Sequence, residues 1–298
     1  MKITLTGSLG HIGQPLTKKL IEGGHEVTVI SSNPLRGAAI QNMGASARIG
    51  NLEDAGFLTD SFHGADAVFT MVPPNNYFDP NLDLIAYYAR LGQNYALALL
   101  TSKVKRVVNL STIGGHLEKG NGILKGAYQV EQTLNTLVPD ITLTHVRPTA
   151  FYYNLYGYMK MIKTDKAIFT NYGSKAIPWV SPKDIAETIA EELVRSGSAP
   201  SFRYVVSEER NGQETAAILG RAIGVPELSW QVISDTIVVD ALKSMGMNSV
   251  IAEGLTEMYA AMESGLLTEH YEQHRPEPGK VGLTDFAKEF AEAYQNNH

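Results

Sequence analysis

Across the first 148 residues, short runs of apolar side chains alternate with stretches in which apolar positions recur at three- and four-residue spacing. The runs predict strands over 2–6, 26–31, 47–50, 67–72, 106–110 and 141–146, and the stretches between them predict helices. Strands separated by helical crossovers pair in parallel, and the right-handed crossover dominates, so the pattern predicts an α/β fold with a doubly wound parallel sheet. The first helix ends at Gly23-Gly24, a C-terminal stop signal. The segment 79–102 reads as one long helix burying Leu84, Tyr88, Leu91, Tyr95 and Leu99.

Beyond Pro148 the alternation breaks down into a tyrosine-rich stretch and shorter elements. The expected division is therefore a doubly wound domain over 1–150 and a smaller C-terminal α/β lobe over 151–298. Ser181-Pro182-Lys183-Asp184 has the composition of a helix start, with a Ser N-cap, Pro at the first helical position and an acid in the first turn. A strand over 202–207 and helices over 214–223, 236–245, 248–264 and 284–294 follow, and 270–282 reads as a surface loop.

The first turn sharpens this picture. The opening strand runs into Gly7-Ser8-Leu9-Gly10-His11-Ile12-Gly13 and then a helix. Such a turn places unpaired backbone N–H groups and the positive end of a helix dipole at one point, where a phosphate binds. Gly7 permits the tight turn, Gly10 lets the backbone approach a pyrophosphate, and Gly13 lets helix and strand pack closely. Together with the alternating pattern this predicts a Rossmann-type sheet carrying a dinucleotide.

Composition narrows the remaining classes. With 298 residues, 44% hydrophobic and 19% charged, the chain can bury a sizeable core. No run approaches the ~18 apolar residues of a membrane span, and the opening reads as a strand rather than a signal segment, so a cytoplasmic protein is expected. The absence of cysteine excludes disulfides and thiolate chemistry. A net charge of −6 argues against bulk nucleic-acid binding. The eight histidines are scattered without metal-ligand spacing, so no metal is expected, and no hydrolase elbow or Gly-Lys-Ser/Thr phosphate loop is present.

In an open α/β sheet the ligand lies beyond the carboxyl ends of the strands at the switch point. That rule selects Gly7 to Gly13 for the pyrophosphate, with Leu9, His11 and Ile12 in the same loop. At the end of the second strand Ser31, Ser32, Asn33 and Arg36 stand where NAD-binding chains place a carboxylate. Hydroxyls, an amide and a guanidinium donate to a 2′-phosphate, which favours NADP. The same residues also suit a turn and helix cap. Asn51 and Leu52 are candidates for the adenine, and Val72, Pro73 and Pro74 for the wall of the riboses.

These pieces resemble the NmrA-like family of atypical short-chain dehydrogenase/reductases, of the NAD(P)H:quinone reductase type. The resemblance rests on the glycine loop, Asn33-Pro34, Gly50-Asn51-Leu52-Glu53-Asp54, Ala65-Asp66-Ala67-Val68-Phe69 leading to Pro73-Pro74, Arg147-Pro148 leading to Asn154-Leu155, and Trp179 to Ala186. Leu283 to Ala287 matches the closing helix of the family. Two departures stand out: Ser32 where the family often has arginine, and Asn51 where it often has aspartate. The resemblance implies an NADPH-dependent oxidoreductase acting on a quinone-like or other small acceptor.

The alcohol chemistry of the superfamily uses a tyrosine with a lysine four residues later on one helix face. Here Tyr128 is followed at four by Gln132, and in the alternative register the two positions fall on Ile123 and Ala127. In either register the pair is absent. The candidate catalytic residues are Ser111, at the end of the fifth strand and also beside the nicotinamide, and Tyr128. Phe151, Tyr152, Tyr153 and His116 are candidates for the acceptor site. Against these stand plainer roles: a turn cap for Ser111, interface packing for the aromatics and a surface loop for His116. A rival reading is a non-catalytic NADP-binding redox sensor acting through a protein partner, and a homodimer fits either reading.

Overall fold

A computed structural model describes residues 1–138 and 140–296. Twelve strands are present among the described residues: β1 (Lys2–Leu5), β2 (Glu26–Ser31), β3 (Ser46–Ile49), β4 (Ala67–Thr70), β5 (Arg106–Leu110), β6 (Thr142–Pro148), β7 (Ala150–Phe151), β8 (Ala167–Thr170), β9 (Ile177–Val180), β10 (Phe202–Val205), β11 (Glu208–Arg210) and β12 (Ser229–Val232). Between them run α1 (Gly13–Glu22), α2 (Arg36–Asn42), α3 (Ala55–Phe62), α4 (Leu84–Ser102), α5 (Lys125–Asn135), α6 (Met159–Asp165), α7 (Pro182–Val194), α8 (Gly212–Ile223), α9 (Asp235–Ser244), α10 (Ser249–Ser264), α11 (Glu269–Gln273) and α12 (Leu283–Asn296).

The central sheet is seven-stranded in the order β10-β6-β5-β4-β1-β2-β3, with every neighbour parallel. Its strand order reverses between β1 and β4, which is the doubly wound arrangement predicted from the alternation. One face is covered by apolar side chains of α1, α2 and α7, such as Leu16, Ile40 and Ile189, and the other by α3, α4 and α5, such as Phe62, Leu91 and Leu134. Parallel strands buried on both faces read as near-continuous apolar runs, so β4 (Ala67–Thr70) is buried at all four positions. The helices start where their caps dictate: Asp83 accepts from the Ala86 N–H, Ser181 from the Lys183 N–H, and Asn211 forms a capping box with Glu214.

The chain beyond residue 150 contributes to both layers. β10 pairs with β6 in the central sheet, and α7 packs its Ile185, Ile189 and Leu193 into the same core as β1. The smaller lobe is built from the rest: a three-stranded sheet β11-β9-β7, the pair β12-β8, and α6, α8, α10 and α12 around Trp179, Trp230, Phe286 and Phe290, with α11 packing Tyr271 into a separate cluster beside Tyr204. The stretch expected as a plain loop over 270–282 begins inside α11, where Tyr271 is buried. It ends strapped to α7, with the Lys280 and Val281 N–H groups donating to the Asp184 carboxylate.

A buried polar chain crosses the sheet behind the site. The Thr70 hydroxyl donates to Asn109 Oδ1, Asn109 Nδ2 lies 3.1 Å from His145 Nδ1, and His145 Nε2 lies 3.1 Å from Asn135 Oδ1. Asn109 offers an N–H to Nδ1, so the arrangement fits a neutral ring protonated at Nε2. Burial pushes the His145 pKa down from 6.5 to about 4; Glu131 opposes this and Arg147 adds to it. A folded pKa below the unfolded one means the unfolded chain binds more protons between those values, so stability present above pH 6.5 is lost as pH falls toward 4. We expect this histidine to remove about 2 kcal/mol of stability between pH 7 and pH 5. Urea denaturation of wild type and His145→Gln at both pH values checks it: the variant should lose less on acidification.

Candidate functional site

The glycine loop follows β1 and lies against the end of β2, where the Ser8 N–H donates to the Ile30 carbonyl. Gly7 has φ +90°, and a Cβ there would stand 2.6 Å from the Met71 sulfur. A Cβ on Gly13 would stand 2.0 Å from the Ser8 carbonyl oxygen, so the loop and α1 close only on a glycine. Gly10 differs: a Cβ there would meet nothing nearer than the Gly7 carbonyl oxygen at 3.7 Å, and Gly10 lines the cavity. The protein's own packing does not require glycine at this position, and the space beside it is part of the cavity. α1 begins at Gly13 with no side-chain cap from Ile12 and no acid in its first turn; the Gln14 N–H donates to the Gly10 carbonyl and Pro15 has none, so what the helix start offers an anion is chiefly its dipole. These residues fit the pyrophosphate of a dinucleotide.

The segment after β4 is pinned alongside. Met71 donates its N–H to Thr6 Oγ1 at 3.0 Å, and the Tyr95 hydroxyl donates to the Met71 carbonyl at 2.6 Å. A cavity of about 800 Å³ opens from the glycine loop between this segment, the ends of β5 and β6, and α10. Its walls include Met71, Val72, Pro73, Pro74, Tyr77, Tyr88, Phe151, Tyr153, Tyr172, Leu255, Met258 and Tyr259, and among the described residues no Asp, Glu, Lys or Arg. His11 stacks on Tyr153 with ring centroids 4.8 Å apart, and Tyr153 on Phe151 at 4.9 Å, so a three-ring stack joins the glycine loop to β7. Burial pushes the Tyr153 phenol up to about 12 and raises Tyr88, Tyr172 and Tyr259 as well. At neutral pH these phenols are uncharged donors, suited to a neutral aromatic ligand.

At the rim of the cavity Ser111 donates its hydroxyl proton to Glu131 Oε1 at 2.5 Å. Arg147 grips the same carboxylate through Nε to Oε1 at 2.9 Å and an η nitrogen to Oε2 at 2.5 Å. Both charges are buried, and the guanidinium also lies 4.8 Å from the centroid of the Phe202 ring. Burial alone would raise the Glu131 carboxyl, but the bonds and charge of Arg147, with His145 and Ser111, hold it below its ordinary value. The carboxylate is therefore ionised and accepts only.

Of the residues selected from sequence, the cavity wall contains Gly7, Gly10, His11, Ile12, Gly13, Val72, Pro73, Pro74, Ser111, Phe151 and Tyr153. Ser31 adjoins the loop, its Oγ 3.0 Å from Ser8 Oγ, while Ser32, Asn33 and Arg36 are exposed beside it. Leu9 instead packs against the core, Asn51 Oδ1 accepts from the Glu53 N–H, and Leu52 is buried among α3 and α4 side chains. Three expectations change. Tyr152 points away from the cavity: it is buried against Trp179 and Phe286, with its hydroxyl donating to the Val281 carbonyl. His116 lies outside the cavity wall, its ring tilted against that of His270 with centroids 4.4 Å apart. Tyr128 lies on α5 away from the wall, whereas Ile123 and Ala127 line it. Of the two registers considered, it is therefore the one on Ile123 and Ala127 that faces the cavity. Sequence reasoning missed Tyr77, Tyr172, Met258, Tyr259, Glu131 and Arg147 as site residues; the one signal in the chain was Arg147, the single Arg or Lys of the otherwise buried strand β6.

Comparison with known proteins fits this geometry. The NADPH-dependent quinone oxidoreductase of Escherichia coli, solved with NADPH, shares 17% identity over 97% of this chain and 99% of its own, with a TM-score of 0.81. The triphenylmethane reductase of Citrobacter sp., solved with NADP(H), shares 18% identity over 97% and 99%, with a TM-score of 0.77. A nucleoside-diphosphate-sugar epimerase from Staphylococcus aureus shares 17% identity over 97% and 100%, with a TM-score of 0.76. At such identities the likeness speaks for the fold, and no curated protein matches the sequence. The sequence profile of the NAD(P)H-binding family matches residues 7–195, well over half the chain and including both the glycine loop and α7. The chain belongs to the NAD(P)H-binding family.

Proposed function

We propose that this protein is an NADPH-dependent oxidoreductase that passes hydride to a quinone-like or similarly easily reduced acceptor in the aromatic cavity. The observation that carries the reading is one continuous space with the glycine loop at one end and a wall of uncharged aromatics at the other. In this reading Gly7 to Gly13 hold the pyrophosphate, residues 71–74 flank the riboses, Ser111 meets the nicotinamide end, and Phe151, Tyr153, Tyr172 and Tyr259 form the acceptor side, which the lobe beyond residue 150 largely supplies. NADP is favoured over NAD because the Ser8-Ser31 hydroxyl pair and the exposed Arg36 stand beside the end of β2, where no carboxylate would repel a 2′-phosphate. A quinone needs little from the protein beyond cofactor binding, orientation and exclusion of water, which suits a wall with Ile123 and Ala127 in place of an acid-base pair.

The consequence is a selective pattern. Reduced-nicotinamide oxidation should proceed with naphthoquinone and be negligible with a simple ketone, Tyr128→Phe should leave the rate within about twofold, and Tyr153→Asp should lower it roughly tenfold or more by placing a charge in the apolar wall. Steady-state absorbance of the reduced nicotinamide reads all four. Rapid ketone turnover that is lost in Tyr128→Phe would restore ordinary superfamily chemistry and overturn this account. Tight NADPH binding without turnover of any acceptor would favour a redox sensor instead.

A further inference from the structure

Ser111 lines the cavity at the end of β5, where a hydroxyl could donate to a carbonyl, yet its single proton is already committed. The Oγ–H donates to Glu131 Oε1 at 2.5 Å, and Glu131 is held in place by two bonds from Arg147. The third side of this contact is closed as well: a Cβ on Gly115 would stand 2.4 Å from Ser111 Oγ and 2.9 Å from Glu131 Oε1, so no other side chain enters there. Among the described hydrogen bonds no N–H or O–H donates to Ser111 Oγ, while Ser111 itself lines the cavity. An ionised carboxylate has no proton to give back, so the hydroxyl cannot turn round without leaving a buried charge short of a partner.

We propose that the Glu131-Arg147 pair fixes Ser111 as a hydrogen-bond acceptor toward the cavity, and that the group it accepts from is the carboxamide N–H of the nicotinamide rather than any carbonyl of the acceptor. The inference rests on the reading of this cavity as the dinucleotide site. Its geometric basis is that β5 lies on the far side of the switch point from β2, so that the end of β5 faces the nicotinamide half of a dinucleotide whose pyrophosphate sits on the β1 loop. Glu131 and Arg147 are in this account positioning residues that act through Ser111. The substrate carbonyl is left without a serine donor, which accords with a preference for acceptors that need no protein acid in the hydride step.

The test compares two ligands on two proteins. NADP and its 3-acetylpyridine analogue differ in that the carboxamide NH₂ is replaced by a methyl group while the carbonyl remains, and calorimetry measures both on wild type and on Ser111→Ala. The variant keeps the buried ion pair, and a general distortion would weaken both ligands alike. The proposal expects wild type to prefer NADP, and Ser111→Ala to lose about fivefold to tenfold in NADP affinity and none for the analogue, which removes the preference. Equal weakening of both ligands, or of neither, overturns the acceptor role while leaving the dinucleotide site intact. Failure of wild type to bind either ligand overturns the dinucleotide reading itself, and this inference with it.

Discussion

Gly10→Val is expected to weaken NADPH binding roughly 100-fold, equal to about 3 kcal/mol, while leaving the protein folded. The two halves of that expectation come from the same observation. A Cβ at residue 10 meets no protein atom nearer than 3.7 Å, so the folded chain accommodates a side chain there. The space it would enter is the cavity beside an uncapped helix start, where a pyrophosphate must come within hydrogen-bonding distance of the backbone. Gly13→Ala provides the contrast, because its Cβ would overlap the Ser8 carbonyl oxygen at 2.0 Å and should damage the fold itself. Fluorescence titration with NADPH, run beside thermal denaturation, separates the two: binding lost with folding retained for Gly10→Val, both lost for Gly13→Ala. An unchanged NADPH affinity in folded Gly10→Val would place the phosphate elsewhere.

Glu131→Ala should be the most destabilising single change near the site. It strands the Arg147 guanidinium, 7% exposed, opposite an empty space, after the carboxylate that is 1% exposed has been removed. Breaking a buried ion pair from one side leaves an uncompensated charge, and the expected loss is about 3–5 kcal/mol. Packing of Arg147 on the Phe202 and Tyr204 rings offsets little of this, since a ring face at 4.8 Å or 5.9 Å does not replace two charge-assisted hydrogen bonds. Glu131→Gln, which keeps the volume and one acceptor oxygen, should lose distinctly less. Urea midpoints of the two variants against wild type measure this; a loss below about 1 kcal/mol for Glu131→Ala would mean that the pair is solvated in solution.

The elements that position the site were largely legible in the chain because they obey local rules. β2 and β5 fall on the predicted residues, α1 stops at the glycine pair, and Ser181-Pro182 starts α7, since apolar period, caps and turn residues act over a few positions. What was not legible depends on distant packing. Three- and four-residue spacing marks Tyr88 as inward-facing on α4, but inward there means the cavity, while Tyr95 on the same face bonds to Met71. Tyr152 and Tyr153 are adjacent and chemically alike, and only the turn after β7 sends one into the lobe core and the other onto His11. Tyr259 and Met258 reach the wall from α10, more than 100 residues beyond the last predicted site residue, with no motif to announce them. The strand predicted over 202–207 is β10, but after the break in alternation at Pro148 nothing local shows that it returns to the central sheet, where the edge of β6 is open to a parallel partner.

The central claim is that hydride leaves NADPH inside this cavity for a quinone-like acceptor. The most direct measurement loads the protein with NADPH, mixes it with naphthoquinone under single-turnover conditions, and follows the reduced-nicotinamide absorbance in wild type and Gly10→Val. The account predicts rapid loss of the band with wild type, well above the rate of NADPH and quinone alone, and only that background rate with the variant. A wild-type protein that binds NADPH yet leaves it reduced, or a Gly10→Val protein that oxidises it as fast, would contradict the account.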